Sequence, residues 1–197
     1  MGEINIMKSF LTLAGIALMA ASVAAEPVQA LIENNDDWSF WIQPEFKLTQ
    51  LGGQGASMPG IQFGPALGHT LYFGLGGYAL VNSVEASNLY KDLKAFDFWY
   101  SGVSMNYTLF HSRLVHCSAG CLLGYGQLKA ESLSAGSDRA DLFVADPGIN
   151  VMLNLTSSLE LGLGGTYRIV NGSNFEDLSN SDLSGLTGSV FLRWTEE

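Results

Sequence analysis

The sequence predicts an all-β chain, an eight-stranded antiparallel up-and-down barrel that crosses a membrane with strands. Three observations predict it. The stretch Trp38 to Thr49 sorts by parity into two faces of opposite chemistry over twelve residues, where a soluble strand usually runs about 5 to 6. That alternation returns seven more times, with connections that switch between three to five residues and roughly a dozen. Glycine is high at 23 residues, aromatics reach 11% and charged residues only 14%, yet past the leading segment no apolar run is long enough for a membrane helix.

In the first strand Trp38, Phe40, Ile42, Pro44, Phe46 and Leu48 share one side, and Ser39, Trp41, Gln43, Glu45, Lys47 and Thr49 the other, as a period of two requires. Met58 to Leu67 and Leu71 to Val81 follow, separated only by Gly68, His69 and Thr70. After a polar segment from Ser83 to Ala95, Asp97 to Leu109 sets Trp99, Val103, Met105 and Tyr107 against Tyr100, Gly102, Ser104 and Asn106. A tight turn, Phe110 to Arg113, leads to Leu114 to Leu128, and a second long loop, Lys129 to Ala140, leads to Asp141 to Leu153. The turn Asn154 to Ser158 precedes Leu159 to Val170, and a polar loop, Asn171 to Ser184, precedes Gly185 to Trp194. The connection Gln50 to Ser57 is read as a shorter loop.

The alternation of short turns with long loops is the layout of a bacterial outer-membrane barrel, with periplasmic turns and external loops. Closure follows from the solvent, because an open sheet edge in lipid leaves backbone donors and acceptors without partners. The competing architecture is a soluble barrel with its apolar face turned inward. The discriminator is the polar face, which here holds glycines, Ser, Asn and a balanced charge set, the composition of a filled lumen.

Met1 to Ala25 reads as a secretory signal peptide: Lys8 supplies positive charge, Phe10 to Ala21 is apolar, and Ser22-Val23-Ala24 or Val23-Ala24-Ala25 fits the cleavage rule. The apolar run is shorter than the ~20 residues of a spanning helix. Residues 26–37 are expected to form a periplasmic N-terminal segment and residues 38–197 the barrel.

The formal charge of −10, with nine Lys plus Arg, argues against nucleic acid. Much of it sits on Glu85, Asp92, Glu131, Asp138, Glu176, Asp177 and Asp182, outside the expected strands. These acids solvate the loops or, more specifically, bridge through divalent cations to anionic lipopolysaccharide; none shows the spacing of a calcium loop. Trp38, Tyr107 and Trp194 come at the turn ends and Trp99, Tyr125 and Tyr167 at the loop ends, all with outward parity, as interfacial anchors do. Trp194 on the last apolar strand resembles the terminal aromatic signature read by barrel-assembly machinery, from which Thr195, Glu196 and Glu197 depart.

Parity collects Glu45, Lys47, Asp146, Glu160, Arg168 and Arg193 inside, three acids against three bases. The bore of an eight-stranded barrel is about filled by side chains, so these charges are expected to pair as a polar plug, or as separate ion pairs with water between. Tyr78, His116 and Ser118 also face the lumen, and the inward glycines make room for Tyr72, Tyr78, Tyr100 and Phe191. His116 and Ser118 resemble the His-x-Ser pair of lipid A deacylase barrels, but parity puts them inside rather than toward lipid. No Ser/His/Asp order occurs elsewhere, so catalytic residues are not assigned. Cys117 and Cys121 lie roughly 13 Å apart on one strand at about 3.4 Å per residue, beyond bridging distance. His69 and His111 fall in different turns, too far apart in the pattern to suggest a metal site, and no cofactor is implied.

Gly76-Gly77-Tyr78-Ala79-Leu80-Val81-Asn82 and Leu114-Val115-His116-Cys117-Ser118 resemble segments of a family of uncharacterised bacterial outer-membrane β-barrel proteins. The resemblance implies an eight-stranded barrel of OmpA-like architecture in the outer membrane, and no activity. A structural or surface-interaction barrel, a narrow porin-like channel and a lipid-modifying enzyme are the functional expectations, in that order. Neither a surface partner nor an oligomeric state is legible.

Overall fold

A computed structural model describes residues 38–81, 93–132, 136–172 and 179–196. The expected signal peptide, the N-terminal segment and the loop acids Glu85, Asp92, Glu176 and Asp177 lie outside the described residues. Eight strands appear among them: β1 (Trp38–Leu51), β2 (Gln54–Leu67), β3 (Leu71–Ala79), β4 (Leu93–Leu109), β5 (Val115–Ser132), β6 (Gly136–Asn154), β7 (Leu159–Asn171) and β8 (Gly185–Thr195). A one-turn helix, α1 (Asn180–Leu183), precedes β8. Each strand pairs antiparallel with its neighbour, and β1 closes on β8 from Trp41↔Thr195 to Thr49↔Thr187. The result is a closed eight-stranded up-and-down barrel.

Side chains alternate as the period of two predicts. Along β1, Trp41, Gln43, Glu45, Lys47 and Thr49 are buried, while Phe40, Pro44, Phe46 and Leu48 are exposed. Ile61, Phe63, Leu75, Val103, Met105, Leu123, Ile149, Val151, Leu163 and Leu192 continue an exposed apolar band around the barrel. Buried charge inside and exposed Leu, Val, Ile and Phe outside invert the arrangement of a soluble barrel. Water would penalise such a band; lipid does not.

Two expected loops are strand instead. Gln50 to Ser57 forms a hairpin closed by Gly52 and Gly53, whose φ values of 55° and 78° meet the need for two left-handed residues in the tightest hairpin turn. The β5–β6 ladder runs on through Lys129↔Arg139 to Ser132↔Gly136, so most of the Lys129 to Ala140 stretch, including Glu131 and Asp138, belongs to a projecting hairpin. β4 likewise starts four residues early, at Leu93. Backbone pairing needs no apolar outer face once the strands leave lipid, which is why alternation alone stops short of the true ends.

Above the lipid-facing band the polarity reverses. Asp97, Arg139 and Asp141 are exposed on the outside of β4 and β6. Inside, Leu51, Ala56, Met58, Phe98, Leu128, Leu142, Val144 and Val170 pack into one buried apolar cluster with Tyr78, Tyr100 and Leu122. Leu183 of α1 is also fully buried in that cluster, so the helix closes its top. Gly52 N–H donates to Asp182 O (2.8 Å), and Ser179 N–H donates to the Asp182 carboxylate (2.9 Å), which fixes the helix on the rim.

Candidate functional site

The bore is the candidate site, and every group in it is set by strand parity plus barrel closure. Nearest the turn end, Arg193 of β8 is fully buried. Its Nε donates to Gln43 Oε1 (2.9 Å), Nη1 lies 3.7 Å from Glu160 Oε2 and 3.4 Å from Thr108 Oγ1, and the guanidinium sits 4.3 Å over the Tyr72 ring. Glu160 also approaches His116 Nε2 at 3.2 Å, a close contact off the line of a hydrogen bond, while His116 Nδ1 faces Arg113 O at 3.2 Å. Trp41 fills the same level and donates Nε1–H to Phe73 O (2.8 Å) and Pro65 O (3.1 Å). Gly74 makes room for it, since a Cβ there would meet the Trp41 ring and the Phe63 carbonyl.

Midway along the bore, Lys47 Nζ bonds Asp146 Oδ2 at 2.5 Å and Tyr100 OH at 3.3 Å, and lies 3.7 Å over the Tyr78 ring. Tyr100 OH donates to the same Asp146 oxygen (3.0 Å). Glu45 Oε2 accepts from Tyr78 OH (2.6 Å), Gln62 Nε2 (3.2 Å) and Gln43 Nε2 (3.2 Å). A cavity of about 30 Å3 between Glu45, Gln62, Asn106, Asp146 and Asn150 has room for one or two waters. Gln62 Oε1, Asn106 Nδ2 and Asp146 Oδ1, buried around it, bond no protein atom among the described residues. Toward the loop end, Arg168 Nε donates to Leu183 O (2.8 Å) and Nη2 to Thr49 Oγ1 (3.2 Å), with Phe98 5.5 Å from its guanidinium carbon.

The six predicted lumen charges are therefore all inside, but they do not form one mutual set. Lys47 joins Asp146 across the bore, from β1 to β6, rather than a charge on an adjacent strand. Glu160 serves Arg193 and His116, Glu45 is held by neutral donors, and Arg168 is answered by carbonyls and a hydroxyl. The largely polar lumen expected from parity also holds an apolar part, the loop-end cluster that packs beside Arg168 and Thr49. Phe98, Leu128, Leu142, Val144 and Val170 were the inward residues that sequence reasoning missed, although carrying the parity of Tyr100 and Gly126 two residues further would have found Phe98 and Leu128.

His116 and Ser118 face the bore and are not joined: Ser118 Oγ accepts from Asn150 Nδ2 (3.0 Å), and both imidazole nitrogens face other groups. Nothing in this arrangement lets His116 take a proton from Ser118. Cys117 and Cys121 are free thiols on the outward face. Trp38, Trp99, Tyr125, Tyr167 and Trp194 are exposed and Tyr107 half-buried; Trp99 and Tyr125 meet edge to face at 6.2 Å, and Tyr125 OH donates to Asp141. No group of three or more His, Cys, Asp or Glu able to hold a metal occurs among the described residues. The spacing argument against His69 and His111 fails, however: β3 pairs with β4, so their turns are neighbours and the rings stack at 6.1 Å.

The fold is similar to that of a solved surface protein. Neisserial surface protein A superposes with a TM-score of 0.59 at 14% identity, covering 80% of this chain and 96% of that one. Ail, the attachment invasion locus protein of Yersinia pestis, gives 0.47 at 13% identity over 82% and 99% of the two chains. A major outer membrane protein from Thermus thermophilus gives 0.47 at 12% over 81% and 99%. No protein-family model and no curated protein matches the chain.

Proposed function

We propose that the chain is a closed bacterial outer-membrane barrel with an envelope or surface-interaction role, rather than a pore or an enzyme. One observation carries the reading: the bore is shut in series, by the Arg193 and Lys47 networks and then by the apolar cluster under Leu183. A solute would have to break buried ion pairs and then cross a dry core. The shared fold with Neisserial surface protein A and the lipid-compatible outer band support the location. The β4, β5 and β6 ladder continues past Trp99 and Tyr125, which supports a surface suited to contact with lipopolysaccharide or an external partner. Assembly would use the β8 strand ending near Trp194.

The test is conductance of the refolded barrel in a planar lipid bilayer. No steady step of porin size is expected, and a stable open level would overturn the closed-bore reading. The second reading, a narrow solute channel, rests on the mid-bore cavity; it requires that Leu128→Ala with Leu142→Ala open a conductance and that the intact chain leak small solutes. For lipid hydrolysis, Ser118→Ala is expected to leave envelope lipid composition unchanged.

A further inference from the structure

We propose that His69 and His111 form a two-imidazole site for a divalent transition-metal cation on the turn end of the barrel, the periplasmic rim of an outer-membrane barrel. The two residues are far apart in sequence, but β3 pairs with β4 from Leu71↔Tyr107, so the turn before β3 and the turn after β4 stand side by side. Thr108 N–H donates to Thr70 O (2.7 Å), which ties the two turns together. The second turn is fixed again from β6, where Asn154 Nδ2 donates to His111 O and Arg113 O, both at 3.0 Å. Phe110, the one non-glycine with positive φ (58°) among the described residues, makes the bend that carries His111. Two imidazoles are thus set on held backbone, with ring centroids 6.1 Å apart and planes inclined by 21°.

The two stacked rings do not aim their nitrogens at one point as they stand, because a ligated ion lies in the plane of each ring, so the site forms by rotation of the exposed His111 ring about its side-chain bonds. With metal to nitrogen distances of about 2.0–2.1 Å, two rings ligating one cation through one nitrogen each keep their centroids within about 6.4 Å, a span the held turns already meet. Imidazole prefers zinc, copper or nickel over the hard cations. His69 is half-buried and His111 exposed, so an ion would reach them from water and complete its coordination with it. Neither ring has a carboxylate or other side chain as hydrogen-bond partner among the described residues. An ion here would clamp the β2–β3 and β4–β5 hairpins together.

The chain has three histidines, and His116 is buried in the bore, so the assignment can be tested without ambiguity. Untagged, metal-free full-length barrel in detergent micelles is titrated with Cu2+ and read by calorimetry and by electron paramagnetic resonance. One Cu2+ per chain with two nitrogen ligands is expected, with at least tenfold weaker binding in both His69→Ala and His111→Ala. Heat-modifiable gel migration confirms that each variant is folded. Binding that survives either substitution, a signal with fewer than two imidazole nitrogens, or no binding at all overturns the site and leaves the pair as a stacking contact. Because the bore plays no part in this measurement, it can fail while the closed-barrel reading stands.

Discussion

Lys47 Nζ meets Asp146 Oδ2 at 2.5 Å across the bore, a link between β1 and β6, which share no ladder. Two buried charges that pair in this way are costly to separate, because the survivor keeps its desolvation penalty without a partner. Lys47→Met is therefore expected to destabilise the barrel by about 3–5 kcal/mol, measured by urea unfolding in lipid vesicles. The double change Lys47→Met with Asp146→Leu should recover most of that loss. If the double variant is no more stable than the single one, the pair is not the source of the effect.

Gly162 and Phe191 face each other on the β7–β8 ladder, and a Cβ at Gly162 would meet the Phe191 ring. Gly162→Val should cost about 1–3 kcal/mol through overpacking, and Phe191→Ala in the same chain should return part of it. A Gly162→Val barrel as stable as the parent would show that the ring has room to move.

The exposed band offers a depth test of the membrane assignment. Val103 is 61% exposed midway between Tyr107 and Trp99, whereas Leu186 is 77% exposed opposite Tyr167 at the aromatic belt. In lipid, Val103→Lys should lose about 2–4 kcal/mol and Leu186→Lys about 0–1 kcal/mol. A soluble barrel would tolerate both equally, so equal losses in vesicle-based unfolding would sink the lipid-facing assignment.

The loop-end cluster behaves as a packed core. Leu128 and Leu142 are both buried in it, and either change to Ala should cost about 2–5 kcal/mol. Were the outer storey filled with water, truncation would remove little, and losses below about 1 kcal/mol would point to a wet interior.

Period-two alternation is a local property, so the sequence alone determined the strand count, the two faces of each strand within the lipid-facing band, and the membrane class. Trp41, Glu45, Lys47, Asp146, Glu160, Arg168 and Arg193 could all be assigned to the interior from parity. Which of them meet could not, because partners across a bore depend on closure and stagger, and these emerge only when β8 returns to β1. Strand ends beyond the lipid band were equally illegible: Gln54 to Ser57, Lys129 to Ser132 and Gly136 to Ala140 lose the apolar alternation while keeping the hydrogen-bond ladder. His69 and His111 make the same point, since pairing of β3 with β4, not any sequence spacing, brings their rings together. Local chemistry chose the faces, and only the closed sheet chose the neighbours.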